Sequence, residues 1–584
     1  MRENNRNSIE KCRKKLPQFT TMNVIDGQAG LIIYTSLIFY SLTIDNILNI
    51  IVLLILSGVS IAMLTGNNGI LTQAQRAKEA TEKAAKVENS TLSSLEDYMI
   101  TDGSYNKEKG VNEPRILSGM TEVMFNLPEG SNKGTVIKSG ETGFDENNWY
   151  DYSGKIDKEG KKIENRWANA VTEDGSYWVW IPRFAYKITY ADAKDKSKGG
   201  TIDVKFLLGT TDEYYTDDTK TTKATAKRAK SATEEVDTTT DYYVHPAFTN
   251  ESSIGYANGG WDKELTGIWV AKFEAGYAGG NNTATVKTSS ISGLEYPVFQ
   301  PTTYSRNYIT IGQAFNLSKA LTGSENIYGL NSSTTNSHLM KNSEWGATTY
   351  LAQSKYGNNN NEPYINNINL NNSVSGKYAV TGVTTGTTNA GAKETTIDNI
   401  NSVKTSANND KSSDGIYTWD QIEGQKSSST LNMYGVYDMS GGVWERTAGL
   451  VANKHKNLNN YGASLMTEIG ENEASTKYVT VYPCDTSVDN STLSDTDENL
   501  NKASNANYLL NKYIFGDAIR ETSKGGTGAT SWKGDDSYFP ALYYPFSGRG
   551  GGLWNGSAAG LFYFNRGDGG SYGSGGFRPV LVAL

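Results

Sequence analysis

"RGGGLWNGSAAGLFYFNRGDGGSYGSGGFRPVLVAL", Arg549 to Leu584, closes the chain and combines two compositions that rarely share one segment. The final residues, Phe577 to Leu584, read as an apolar strand. The residues before them are glycines and serines that carry Trp554, Phe562, Tyr563, Phe564 and Tyr572. A flexible linker has few rings, and a buried strand has few glycines. A tail of outward side chains set between fixed core positions accommodates both features.

The same strand character recurs upstream. "GSYWVWIPRFAYKITY" (Gly175 to Tyr190) holds β-formers interrupted by one proline, which suits an edge or a bulge. "TGIWVAKFEAGY" (Thr266 to Tyr277) and "MYGVYDMSGGVWERTAG" (Met433 to Gly449) have the same character. Helices are expected over "TIGQAFNLSKALTG" and over "SHLMKNSEWGATTYLAQSKYG", where Leu339, Trp345, Thr349 and Ala352 mark a partly buried face. Polar, weakly apolar stretches at about 194–242, 357–414 and 453–507 read as surface insertions within one outer domain, 110–584. Within the first, Lys220, Lys223, Lys227 and Lys230 read as a solvated loop rather than an interaction patch. Sixty glycines and an aromatic content of 11% fit this α+β reading, rich in strands and loops.

The other end of the chain has a different chemistry. Residues 1–28 carry Arg2, Arg6, Lys11, Arg13, Lys14 and Lys15 and read as a basic cytoplasmic tail. Residues 29–64 follow as a transmembrane anchor. Its most apolar part, Ile47 to Leu64, would run roughly 27 Å as a helix, close to the hydrocarbon thickness. A cleaved secretory signal and a hairpin that crosses first through Leu31 to Ile44 are the alternatives. Residues 65–100 are rich in Ala, Glu, Lys and Gln and read as a helical stalk, with Glu79 and Lys83 at i and i+4. This order puts the N-terminus in the cytoplasm and the outer domain outside the cell. A net charge of −8 argues against a nucleic-acid partner. Cys12 and Cys484 flank the apolar segment, and His245, His338 and His455 are far apart, so no disulfide framework or metal motif follows.

Two resemblances sharpen these expectations. "IIVLLILSGVSIAMLTGNNGILTQAQRAKEATEKA" (Ile50 to Ala84) resembles the N-terminal helix of type IV pilin-like surface proteins of Gram-positive bacteria. Such pilins place a glutamate at the fifth mature position. Counted from Gly30-Leu31, that position is Thr35, so the anchor and stalk are carried over and the fibre is not. "YDMSGGVWERT" (Tyr437 to Thr447), "SYFPALYYPFSGRGG" (Ser537 to Gly551) and "GFRPVLV" (Gly576 to Val582) resemble the formylglycine-generating-enzyme branch of the C-type lectin fold. The resemblance implies a C-type-lectin-like domain with long insertions. Trp444 and Phe577 would anchor its core, Glu445 and Arg578 would form a buried ion pair or be satisfied separately, and Arg549 would tie loop carbonyls together.

The catalytic members of that family hold copper on paired cysteines, whereas the outer domain here has Cys484 alone, so no enzyme activity, catalytic residue or resident metal is expected. Calcium is doubtful because Gly442 stands where the family motif has asparagine. The tail resembles instead the variable region of proteins diversified by retroelements, in which scattered positions change and the residues between them stay fixed. The implied ligand-binding positions begin with Gly552, Leu553, Trp554, Asn555, Ser557 and Ala558. They continue with Tyr563, Asn565, Arg566, Asp568, Ser571, Tyr572 and Ser574. The expected partner is a protein or glycan on another cell or a phage. A pilin-like structural subunit and a metal-dependent oxidase are the competing readings.

Overall fold

The terminal strand lies inside a sheet rather than at its edge. In the computed structural model, Pro579–Ala583 pairs antiparallel with Gly267–Ala271 on one side and with Thr335–Leu339 on the other. The structure describes residues 73–84, 101, 103–154, 165–251, 259–277, 296–369, 379–384, 395–396, 417–490 and 492–584. The chain divides into two units, Met1–Ser93 and Ser94–Leu584.

The first unit is described only over 73–84, which is helical and exposed along most of its length. It covers part of the stretch expected as a stalk, 65–100, and Lys78 and Glu82 pair along it at 3.9 Å. The anchor expected at 29–64 and the basic tail lie outside the described residues. Among the described residues, no helix is long and apolar enough to cross a membrane.

The second unit is α+β and dominated by strands. We number the strands of its main sheets β1 Met120–Asn126, β2 Thr135–Lys138, β3 Asn169–Thr172, β4 Tyr177–Pro182 and β5 Phe184–Tyr190. Next come β6 Gly200–Phe206, β7 Tyr243–Val244, β8 Gly267–Ala271, β9 Thr335–Leu339 and β10 Trp444–Val451. The last are β11 Thr480–Tyr482, β12 Phe546–Arg549, β13 Phe564–Gly567, β14 Gly575–Phe577 and β15 Pro579–Ala583. A seven-stranded antiparallel sheet runs β9-β15-β8-β4-β3-β1-β2. A three-stranded sheet runs β7-β5-β6, and a five-stranded sheet runs β11-β10-β12-β13 with β14 also on β10.

Two expected single strands are in fact pairs of strands in different sheets, and a buried arginine marks each crossing. Arg183 separates β4 from β5. It donates to the Phe248 carbonyl at 2.8 Å and pairs with Asp212 and Glu264 at 3.0 and 2.7 Å. Arg578 separates β14 from β15, so the apolar run begins in one sheet and ends in another. Its guanidinium donates to Glu445 at 2.6 and 2.9 Å, to the Ala271 carbonyl at 2.6 Å and to the Tyr437 carbonyl at 2.8 Å. Glu445 and Arg578 are therefore the buried ion pair, with side-chain exposures of 1% and 0%. Phe577 is fully buried beside them. The segment Thr266 to Tyr277 likewise leaves its strand at Ala271 and pairs again only at Gly276–Tyr277.

Among the described residues, the four longest helices of this unit pack on the framework, and a single-turn helix spans Ile422–Gln425. The helix α1, Ile311–Ala320, starts at a capping box formed by Thr310 and Gln313. The helix α2, Asn342–Gln353, is buried along its whole length rather than on one face. The expected helix around His338 begins later than the sequence pattern suggests, because His338 belongs to β9 and hydrogen-bonds Glu344 of α2 at 2.9 Å. The helices α3, Asn457–Ile469, and α4, Asp497–Leu510, fall within the stretch read as the third insertion. That stretch is an ordered part of the unit: Leu458, Leu465, Leu500 and Ala503 are buried. The first insertion is ordered too, since β6 lies within it. Its lysines are engaged locally, as Lys223 pairs with Glu213 and Lys227 with Asp241. Much of the second insertion lies outside the described residues.

Candidate ligand groove

The glycine-rich tail folds into short strands joined by turns, and their arrangement builds a groove. In β12 and β13, Ser547 pairs with Arg566 and Gly548 with Asn565. In β10 and β14, Trp444 pairs with Gly575 and Arg446 with Phe577. The residues between β13 and β14 turn back on themselves: Gly570 N–H donates to Asp568 at 2.8 Å, and the Tyr572 hydroxyl donates to the same carboxylate at 2.6 Å. The segment before β12 adds Tyr538, Tyr543 and Tyr544 to the lining. The space enclosed is about 570 Å³.

Of the residues expected to bind a ligand, Asn555, Tyr563, Asn565, Arg566, Asp568, Tyr572 and Ser574 line this groove. Tyr572 is half exposed, at 50%. Arg566 reaches across to α4, donating to the Leu500 carbonyl at 3.1 Å, Ser504 Oγ at 2.6 Å and Asn501 Oδ1 at 3.2 Å. Its guanidinium also lies 5.2 Å from the centre of the Tyr538 ring. Burial lowers its pKa. Tyr572 has its phenol pKa pushed up to about 12, chiefly by its hydrogen bond to the Asp568 carboxylate.

Other expected positions are placed differently. Gly552, Leu553 and Tyr563 are buried. Leu553 packs with Ala379 and Val443 in a small apolar cluster, because its backbone is drawn inward by the hydrogen bond from its N–H to the Gly442 carbonyl at 2.8 Å. Tyr563 borders the groove, but its hydroxyl is engaged by Asn565 Nδ2 at 2.9 Å and burial raises its phenol pKa. Trp554, Ser557, Ala558 and Ser571 are outside the lining. Trp554 instead packs on Trp444, with ring centres 5.6 Å apart. Trp444 is itself a correction: the expected core anchor lines the groove, and its indole N–H donates to Asn555 Oδ1 at 3.0 Å.

Sequence reasoning missed Arg446, Asp536, Tyr538, Tyr543 and Tyr544, all of which line the groove. The signal is the concentration of tyrosine in "SYFPALYYPF", a stretch that carries the family resemblance and lies before the expected binding positions. Arg549 behaves as expected. It is buried, and it donates to the carbonyls of Asp517 and Ala518 at 3.1 and 3.2 Å. That contact fixes the end of β12 from behind the groove.

Three buried carboxylates interact with one another, Glu274, Asp438 and Glu445, and Arg578 acts on the latter two. Burial pushes the Glu445 carboxyl up to about 7 despite the opposing pull of Arg578. Burial, together with Asp438 and Glu445, drives Glu274 well above the usual carboxylate range. Glu274 accepts from Val443 N–H at 3.1 Å. Gly442 has φ +71°, and a Cβ there would stand 2.9 Å from a Glu274 carboxylate oxygen. A side chain at 442 therefore conflicts with both the backbone and this carboxylate, which is a physical reason for glycine there. Among the described residues, no group of three or more His, Cys, Asp or Glu is disposed to hold a metal ion. Cys484 is a free, partly buried thiol whose pKa is raised by burial to about 12.

No protein-family model matches the chain, and no curated protein matches it.

Proposed function

We propose that this protein is a surface ligand-binding protein of the receptor or adhesin type. In this reading an N-terminal anchor and stalk hold a C-type-lectin-like, formylglycine-generating-enzyme-like domain outside the cell, and the tail groove is its recognition site. The observation that carries the proposal is the convergence of Asn565, Arg566, Asp568, Tyr572 and Ser574 on one groove whose backbone belongs to paired strands and tight turns. Tyrosines and tryptophan give large contacts at low entropy cost, while Asn, Ser and Asp give adaptable polar contacts. A rigid frame with changeable side chains also suits diversification by a retroelement. The partner class is a protein or glycan on another cell or a phage.

The test is a screen of the intact protein against arrays of surface proteins and glycans, repeated with Tyr544→Ala combined with Tyr572→Ala. The proposal expects every specific hit to weaken at least about tenfold, as for loss of aromatic anchors at an interface. Hits that survive the double substitution unchanged would place recognition elsewhere. For diversification, a template repeat beside the gene should differ from the tail codons only at template adenines.

A further inference from the structure

The groove contains a buried positive charge that, among the described residues, no carboxylate contacts directly. Arg446, on β10, is 9% exposed and borders the groove. One of its terminal nitrogens donates to the Gly570 carbonyl, while its Nε is buried without a hydrogen-bond partner. Among the described residues, no carboxylate forms an ion pair with it. Asp568, the anion acting on it most strongly, is occupied by Gly570 N–H and the Tyr572 hydroxyl. Arg566 is in a similar state, held by neutral acceptors on α4. A buried cation without a counter-charge is costly, and the cost falls when an anion docks against it.

The apolar lining gives the second clue. Among the described residues, every apolar side chain lining the groove is aromatic, and no Leu, Ile, Val, Met or Ala is among them. A protein anchor residue is usually received by a desolvated apolar pocket. Aromatic faces interspersed with Asn, Ser and Asp suit a sugar instead. Its C–H faces stack on rings while its hydroxyls meet polar groups.

We infer that the groove takes an acidic oligosaccharide, with a sugar carboxylate docked on Arg446 and neighbouring sugar rings stacked on Trp444, Tyr544 and Tyr572. This inference rests on the groove being the recognition site and adds the ligand class to that reading. The ligand's negative charge then supplies a contacting counter-ion on the side of the Arg446 guanidinium that borders the groove. No metal bridge is involved in this contact.

The test is calorimetric titration of the intact protein. The probes are a carboxylated oligosaccharide of alternating uronic acid and N-acetylhexosamine, its carboxyl-reduced neutral counterpart, and a glutamate- and tyrosine-containing peptide of equal charge. The inference expects the carboxylated sugar to bind at least about tenfold more tightly than the neutral one, the increment of one charge-assisted contact. Arg446→Gln should erase that preference, and Arg446→Lys, which keeps the charge but loses the planar guanidinium, should retain only part of it. Asp568→Asn should strengthen acidic-sugar binding by removing the nearest like charge, a gain that a merely structural role for Arg446 would not produce. Melting temperatures exclude misfolding as the cause, and Arg446→Lys serves if Arg446→Gln is unstable. Equal affinity for the acidic and neutral sugars, tighter binding of the peptide, or absence of acidic-sugar binding would overturn the inference. If another ligand still depends on Tyr544 and Tyr572, the groove reading survives that failure; if no ligand does, both fall.

Discussion

At the scale of single residues, buried charge accounts for much of what the tail does. The Glu445–Arg578 pair joins two sheets. Replacing Arg578 with Met should destabilise the fold by about 3–5 kcal/mol, because Glu445 would remain buried without its counter-charge. Denaturant unfolding would measure the loss. The pH dependence has a definite sign. With a carboxyl pushed up to about 7, the folded state holds a proton that the unfolded chain releases at about 4.3. That stabilisation is fully present below pH 4.3 and is lost as pH rises through 7, so Glu445 contributes a falling slope across that window. In Arg578→Met the pKa should rise further, and the fall should continue beyond pH 7. A slope that stops earlier in the variant would contradict this assignment. The pair itself was legible in the sequence as two charges set in apolar strands. Arg446 was not legible, because one more charge beside Glu445 carries no sign of whether it has a partner.

At the scale of elements, the expectations that held were those fixed by local chemistry. The helix over Ile311–Ala320 announces itself through Thr310 and Gln313. Thr310→Ala should reduce stability by about 1 kcal/mol, which thermal unfolding can resolve. The expectations that failed depended on tertiary context. "WVWIPRFAYKI" reads as a strand with a proline edge or bulge and "GFRPVLV" as one closing strand, yet each crosses between sheets at a buried arginine. Leu553 and Tyr563 looked like variable outward positions among glycines, and neighbouring segments cover them. Leu553→Ala should therefore destabilise by about 2–5 kcal/mol through a buried cavity, whereas Tyr572→Ala should change stability by no more than about 0.5 kcal/mol. Likewise, the polar composition of 453–507 concealed α4, whose few apolar residues suffice to pack it and whose carbonyl and side chains hold Arg566.

At the scale of the whole molecule, the last residues unite the second unit. The strand β15 lies between β8 and β9, and Arg578 links it to β10. Removing Arg578 to Leu584 should thus leave an unfolded or insoluble chain, as judged by soluble yield and near-ultraviolet circular dichroism, although only a short terminus is lost. The strand-rich α+β character was legible from composition and turn residues. The sheet order was not, since pairing such as β15 with both β8 and β9 joins residues hundreds of positions apart and leaves no local signature. In the proposed reading this topology separates stability from recognition: Phe577, Arg578 and β15 hold the frame, while Asn565, Asp568, Tyr572 and Ser574 line the groove.

That separation can be measured with a displayed library of the intact protein in which Asn565, Asp568, Tyr572 and Ser574 are randomised together. Most members should keep the parental melting temperature to within a few degrees, about the shift expected from surface changes, and selection should return members that recognise unrelated targets. A library whose members largely unfold, or whose folded members never acquire a new specificity, would contradict the account.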